Sequence, residues 1–179
     1  MVYIFLAPGF EEAEALVPAD LLRRAGIDTA LVGTERGPVA GGHGIAVLPD
    51  MELPQVALED AEMLVLPGGG RGVENLACCP QVEQLIRLAA AQGIPIAAIC
   101  AAPALLARWG LLEGKRAVCF PGLEGKLAGA RHTGASVVTD GATITGRAAG
   151  SAFDFGLELV KFLAGEEKAE EVRHNVHYR

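Results

Sequence analysis

Residues 93–110 read GIPIAAICAAPALLARWG, and the order of elements in this stretch decides the fold. The apolar run from Ile94 to Ile99 has the length of a buried β-strand. Small residues and Pro103 then open a helical pattern, and Cys100 lies at the junction between the two. A strand that leads directly into a helix is typical of a parallel sheet, whose strands need helical crossovers.

The same alternation recurs along the chain and predicts an α/β fold. The other strand-like runs are VYIFLA, DTALVG and EMLVLPGG, and the helical patterns are EEAEALVPADLLRRAG, PQVEQLIRLAAAQG and SAFDFGLELVKFLAG. Several strands are apolar throughout, which favours a parallel sheet covered by helices on both faces. The glycines between residues 37 and 50 predict a small hairpin or an excursion of the chain, and the pair Asp140-Gly141 predicts a hairpin turn. Ser151 is a candidate N-cap of the last helix.

Length and charge narrow the class of protein. We expect the 179 residues to form one domain, 1–179, that is large enough to bury a core. The net charge is −7 and basic residues form only short pairs, which argues against a nucleic-acid partner. No apolar run reaches the roughly 20 residues of a membrane helix, so no membrane association is expected. The N-terminus reads as a first strand rather than a signal peptide.

The cysteines indicate a reducing compartment. Cys78, Cys79, Cys100 and Cys119 lack the spacing of a metal site, so no metal is expected, and free thiols in the cytoplasm are the favoured interpretation. A bond between the adjacent Cys78 and Cys79 would close a strained ring, so these two are expected to be a reduced surface pair.

Cys100 is the candidate nucleophile because of its position. Ligands of such sheets bind beyond the carboxyl ends of the strands, and a nucleophile on a sharp strand-to-helix turn projects there. The positive end of the following helix is expected to lower the pKa of the thiol. The alternative is ordinary packing, since free cysteine is among the most buried residue types.

The loop LPGGGRG, residues 66–72, follows another apolar strand. Its glycines Gly68, Gly69 and Gly70 let the backbone approach a ligand closely and direct N–H groups at it. The N–H groups of Gly69 and Ala101 are therefore candidates for an oxyanion hole. The alternative is a plain turn, and the loop does not match the phosphate-binding pattern.

A carboxylate near the thiol is the third element. On a helical wheel of residues 11–25, Glu11 and Glu14 fall on the apolar arc, whereas Glu12 falls outside it. A carboxyl group on that arc should have a raised pKa and exchange protons with a neighbouring thiol. The wheel does not choose between Glu11 and Glu14.

The four histidines offer no obvious base. His174 and His177 lie in a charged C-terminal stretch and are expected to be solvated. His132 is either an ordinary loop residue or a residue whose side chain reaches the site. The sequence contains no recognisable Ser-His-Asp grouping, so the pattern favours a cysteine with a glutamate as the catalytic groups.

Four ordered motifs, PGFEEAEA, LPGGGRGVENL, AAICAAPALLA and SAFDFGLELV, resemble the ThiJ/PfpI superfamily, in the branch of the parkinsonism-associated protein deglycase and its bacterial relatives. The resemblance implies a flavodoxin-like three-layer α/β sandwich with a mostly parallel central sheet, as in class I glutamine amidotransferases, and a homodimer. It also implies that Cys100 is the nucleophile, that Glu14 is its carboxylate partner, and that Gly69 and Ala101 supply the oxyanion-hole amides. By the same analogy, Gly42-His43-Gly44 and Arg24 belong to the dimer contact.

The chain also departs from the pattern of its relatives. Where the parkinsonism-associated member of the family has His next to Pro, this chain has Phe120-Pro121, as some bacterial members do. Where the family has Gly-Pro-Gly before the last helix, this chain has Ala148-Ala149-Gly150. The superfamily's proteases have His after the nucleophile and its glutaminases need His-x-Glu; Ala101 follows Cys100 and no His-x-Glu occurs. Peptidase and glutaminase activities are therefore not expected.

The resemblance implies a glyoxalase or deglycase that acts on methylglyoxal, glyoxal and their early adducts with amines and thiols. Neither a metal nor an organic cofactor is expected. The alternative is an oxidative-stress sensor or chaperone, in which Cys100 is oxidised to the sulfinate.

Overall fold

The apolar runs form strands and the amphipathic runs form helices in the computed structural model, which describes residues 1–179. The strands are β1 Val2–Leu6, β2 Thr29–Gly33, β3 Val39–Ala40, β4 Ala46–Val47, β5 Met51–Glu52, β6 Met63–Leu66, β7 Ile96–Ile99, β8 Arg116–Ala117, β9 Arg131–His132, β10 Val137–Asp140 and β11 Thr143–Gly146. The helices are α1 Glu12–Arg24, α2 Gly70–Ala77, α3 Pro80–Ala91, α4 Pro103–Arg108, α5 Ala152–Ala164 and α6 Glu166–Asn175.

Seven of the strands form one sheet in the order β10-β11-β7-β6-β1-β2-β5. Every neighbouring pair is parallel except β10 with β11, which form the hairpin predicted at Asp140-Gly141. The hairpin predicted between residues 37 and 50 is also present, as β3 with β4. Since β1, β6 and β7 are parallel neighbours, their carboxyl ends meet at one edge of the sheet, where Cys100 and the glycine loop lie.

The residues of the central strand β1 are apolar on both faces because each face packs into a hydrophobic core. Tyr3 and Phe5 belong to the core cluster that also contains buried residues of α2, α3 and α4. Ile4 and Leu6 belong to the cluster on the other face, which contains buried residues of α1, α5 and α6. Helices therefore cover both faces of the sheet, which confirms the flavodoxin-like three-layer sandwich.

The structure differs from the sequence-based expectations in four places. A helix, α2, begins inside the glycine loop, and the charged C-terminal stretch forms α6, because Ala169 and Val172 pack their side chains into the core. The run KRAVCF contributes only the two residues of β8, which pair with β9 outside the main sheet. Ser151 occupies the N-cap of α5, but its side chain makes no capping hydrogen bond.

Not one of the helices combines the length and the apolar content that a bilayer crossing requires.

Candidate active site

Cys100 occupies a strained turn between β7 and α4. Its φ of 67° lies in the left-handed region, which costs a residue with a side chain about 1–3 kcal/mol. The backbone is fixed on both sides, because the Cys100 N–H donates to the Gly146 carbonyl at 2.9 Å and the Cys100 carbonyl accepts the Phe120 N–H at 2.7 Å. The turn thus holds the thiol at the carboxyl end of its strand.

Glu14 is buried completely on the first turns of α1. Its Oε2 accepts the Gly68 N–H at 2.9 Å, whereas Oε1 is buried without a hydrogen-bond partner of good geometry. Burial raises the pKa of this carboxyl to about 7, and the charge of Glu11 adds to the rise. The Cys100 thiol and the Gly68 N–H lower the pKa of Glu14, but burial outweighs them. The carboxyl therefore titrates near neutral pH beside the thiol.

The Cys100 thiol is also shifted, and in the direction opposite to the sequence-based prediction. Burial and the neighbouring Glu14 carboxylate raise its pKa to about 12, while hydrogen bonding from the Gly69 and Ala101 N–H groups acts the other way. The prediction of a lowered pKa is therefore wrong while Glu14 is ionised. That prediction considered the N–H groups at the start of the helix, which lower the pKa of the thiol, but not burial or the Glu14 carboxylate, which raise it.

The three glycines of the loop differ in what surrounds them. A Cβ on Gly68 would collide with Glu14 Oε2 and would lie 2.6 Å from Cys100 Cβ, so only glycine fits between these two side chains. Gly69 has a φ of 90°. Gly70 is the first residue of α2 and has open space where a Cβ would lie. Gly68, Gly69 and Ala101 thus lie around the thiol.

Glu11 and Glu12 are engaged with the β3–β4 hairpin rather than with the thiol. Glu12 accepts the His43 N–H at 2.8 Å and the Ile45 N–H at 3.3 Å, and His43 Nδ1 lies 2.9 Å from its other oxygen. Glu11 is the N-cap residue of α1, and its carboxylate lies 3.6 Å from His43 Nδ1. The wheel placed Glu12 outside the buried arc and was wrong, because the hairpin covers that side of the helix.

Glu11, Glu12 and His43 are also the one group of potential metal ligands in the chain, with ligand atoms within 4.8 Å of one another. The N–H donors of the hairpin already occupy the Glu12 carboxylate. His43 Nδ1 lies near both carboxylates, 2.9 Å from Glu12 and 3.6 Å from Glu11.

The remaining histidines, His132, His174 and His177, make no hydrogen bond to Cys100. His132 is exposed on β9, where its charge influences Glu124, and His174 and His177 are exposed as expected. Phe120 lies next to the turn, because its N–H donates to the Cys100 carbonyl, and it has 45% of its surface exposed.

A cleft of about 490 Å³ is lined by Ala101, the residue after Cys100, and by Gly70. It is mostly apolar, with walls from α2 and α4, and Arg108 and Lys126 are its cationic residues. Sequence reasoning missed this cleft, because it is formed by residues of α2, α4 and the segment after β8 whose spacing along the chain carries no common pattern.

Known proteins share this arrangement of elements. The DJ-1/PfpI family profile matches residues 1–162. The protein dj-1beta of Drosophila melanogaster is 40% identical over 172 residues, which cover 94% of this chain and 92% of that protein. Its crystal structure superposes with a TM-score of 0.94 at 37% identity over 99% of this chain and 97% of its own.

Two relatives carry names that describe an activity. A glutathione-independent glyoxalase of Caenorhabditis elegans is 32% identical over 88% of this chain and 85% of its own. A deglycase of Pyrococcus abyssi is 31% identical over 90% of this chain and 98% of its own. The profile match and these identities over most of each sequence confirm the resemblance found in the four motifs, and the chain belongs to the DJ-1/PfpI family.

Proposed function

We propose that this protein converts reactive 2-oxoaldehydes such as methylglyoxal and glyoxal, and their early adducts with amines and thiols, into 2-hydroxy acids, with Cys100 as nucleophile and Glu14 as proton carrier. The observation that carries the proposal is the pairing of a strained thiol with a completely buried carboxyl whose pKa is raised to about 7. Membership of a family with named glyoxalases and deglycases supports the same substrate class.

The first step is addition of sulfur to the aldehyde carbon. With the thiol protonated and Glu14 ionised, the carboxylate accepts the thiol proton as the carbon–sulfur bond forms. The aldehyde oxygen becomes an oxyanion, which the N–H groups of Gly69 and Ala101 are placed to stabilise. Glu14 then returns the proton to this oxygen, which leaves a hemithioacetal and a carboxylate.

The second step moves hydrogen between the two carbons of the substrate. The Glu14 carboxylate takes the proton from the former aldehyde carbon to give an enediolate. The hydroxyl proton on that carbon passes to the oxygen of the neighbouring carbon, and Glu14 returns its own proton to the neighbouring carbon. The product is a thioester of a 2-hydroxy acid on Cys100. Water hydrolyses the thioester and restores the thiol, so the net reaction is the addition of one water to the 2-oxoaldehyde and requires no cofactor.

The volume of the cleft at Ala101, about 490 Å³, supports adducts as substrates in addition to free aldehydes. Methylglyoxal occupies only a small part of such a volume, whereas the cleft leaves room for the amine or thiol portion of an adduct. The four free cysteines support a reducing, cytoplasmic location.

Lactate formed from methylglyoxal tests the proposal. Cys100→Ala and Glu14→Gln should each lower turnover by at least about a hundredfold, since general-base catalysis contributes that much or more. Glu11→Gln is the matched control, because it removes a neighbouring carboxylate that is engaged with the hairpin, and it should retain turnover. Wild-type turnover in either Cys100→Ala or Glu14→Gln would contradict the mechanism.

A second candidate function is oxidative sensing. The buried Glu14 Oε1 has no hydrogen-bond partner, so a protonated Glu14 is free to donate to a sulfinate on Cys100. Mass spectrometry after mild peroxide treatment separates the two functions. Selective gain of two oxygens on Cys100 without carbonyl turnover favours the sensor, whereas equal oxidation of Cys78, Cys79 and Cys119 excludes it.

A further inference from the structure

Cys78 and Cys79 form a second thiol site that the proposed reaction does not use. Cys78 is the C-cap of α2 and Cys79 the N-cap of α3, so the pair lies between two helices. The Cys78 N–H donates to the Glu74 carbonyl and the Cys79 N–H to the Leu76 carbonyl, both at 3.1 Å. These bonds hold the backbone of the pair in place.

The backbone conformation of Cys78 brings both residues to one cleft. Adjacent residues in an extended segment point to opposite sides. Cys78 has φ −89° and ψ 0°, which turns the chain, and both cysteines line the same polar cleft of about 590 Å³. Cys78 is exposed and Cys79 half-buried, and Arg71 lines the cleft with them.

The same closeness disfavours a bond between the two sulfurs. Cα atoms across a trans peptide are about 3.8 Å apart, whereas disulfides usually span about 4.4–6.8 Å. The pair therefore stays a dithiol, with two soft ligands available on one side of the chain.

We propose that Cys78 and Cys79 chelate thiophilic trivalent arsenicals that bear one organic group. Such a compound carries two replaceable hydroxyl groups on arsenic, which matches two thiols. Each thiol forms one sulfur–arsenic bond and gives its proton to a departing hydroxyl, so two waters leave and arsenic stays trivalent. Because the oxidation state of arsenic does not change, the binding step requires no oxidant or reductant.

Phenylarsine oxide is the probe, applied to the reduced full-length chain. One equivalent should consume two thiols, and peptide mapping by mass spectrometry should place the phenylarsenic bridge on Cys78 and Cys79. Cys78→Ser and Cys79→Ser should each lower the affinity by at least about tenfold, because a second ligand on the same chain acts at high effective concentration. A competing dithiol should remove the arsenical.

Cys119→Ser and Cys100→Ser are the matched controls, and both should bind the probe as the wild type does. Circular dichroism of all four variants should show the same helical signal, which checks that each keeps the fold. Unchanged affinity in Cys78→Ser or Cys79→Ser, or a bridge that includes Cys100, would overturn the proposal. Neither result would bear on turnover of 2-oxoaldehydes.

Discussion

At the scale of single residues, the Cys100 thiol and the Glu14 carboxyl behave as one titrating pair. Burial raises the pKa of both, and the ionised carboxylate raises that of the thiol further. Near neutral pH, loss of the first proton from the pair therefore leaves a carboxylate beside a thiol. The thiolate nucleophile is formed only when the remaining proton, on the thiol, passes to Glu14 during attack.

Glu14→Gln should flatten the dependence of stability on pH. The carboxyl ionises near 4.5 in the unfolded chain, but its pKa is raised to about 7 in the fold. Between these values the folded state binds more protons, so the free energy of unfolding falls as pH rises, by about 3 kcal/mol in total. Urea unfolding of both proteins from pH 4 to pH 8 measures this change. An equal fall in wild type and variant would assign it to another group.

The residues of the pair were predictable only in part. Cys100 stood out by its place after an apolar strand, and the wheel narrowed its partner to Glu11 or Glu14. Burial of Glu14 against Gly68 distinguishes the two, and that contact joins segments 54 residues apart in the chain. The burial of Glu12 was missed for the same reason, since a helical wheel carries no information about a hairpin that packs on it.

At the scale of elements, substitutions in the glycine loop should have three distinct effects. Gly68→Ala should lower turnover by about a hundredfold, since a Cβ there separates Glu14 from Cys100 and small misplacements cost that much. Gly69→Ala should destabilise the fold by more than about 1 kcal/mol, because its φ of 90° strains any side chain and its Cβ would lie 2.6 Å from the Glu11 nitrogen.

Gly70→Ala is the control for both, because it adds a methyl group to open space on a helix. It should leave turnover unchanged and stability unchanged or slightly raised. Turnover from methylglyoxal and urea unfolding provide the measurements. Equal losses in Gly68→Ala and Gly70→Ala would contradict the roles assigned to the loop.

Elements with a strong periodic pattern were predicted from sequence, and elements without one were missed. The strands β1, β2, β6 and β7 are apolar runs bounded by glycine or proline, so their pattern was legible. The helix α2 begins with a glycine, and α6 is mostly charged with only Ala169 and Val172 buried. Tertiary packing stabilises these two helices, and local propensity does not reveal it.

At the scale of the whole molecule, the two core clusters share the strands of one sheet. We therefore expect residues 1–179 to unfold as one unit. Trp109, the only tryptophan, is 3% exposed in the cluster of α2, α3 and α4, so its fluorescence reports that side. Its transition in urea should coincide with the loss of helical circular dichroism from all layers. Two separate transitions would show that the halves fold independently.

We also expect a homodimer that uses the β3–β4 hairpin. Leu48 has 72% and Ile45 54% of its surface exposed there, which is unusual for large apolar side chains. Light scattering should give twice the chain mass of 18.6 kDa. Leu48→Asp should weaken association by at least about tenfold. Leu88→Asp is the control, since Leu88 is 45% exposed on α3, and an equal effect of both would place the contact elsewhere.

The pH dependence of Cys100 alkylation by iodoacetamide tests the proton-sharing pair most directly. Mass spectrometry of the Cys100 peptide separates this thiol from the exposed Cys78. Because the Glu14 carboxylate raises the pKa of the thiol, Glu14→Gln should lower that pKa and speed alkylation at pH 8, although the same variant loses turnover. An unchanged or higher pKa of Cys100 in Glu14→Gln would contradict the pairing.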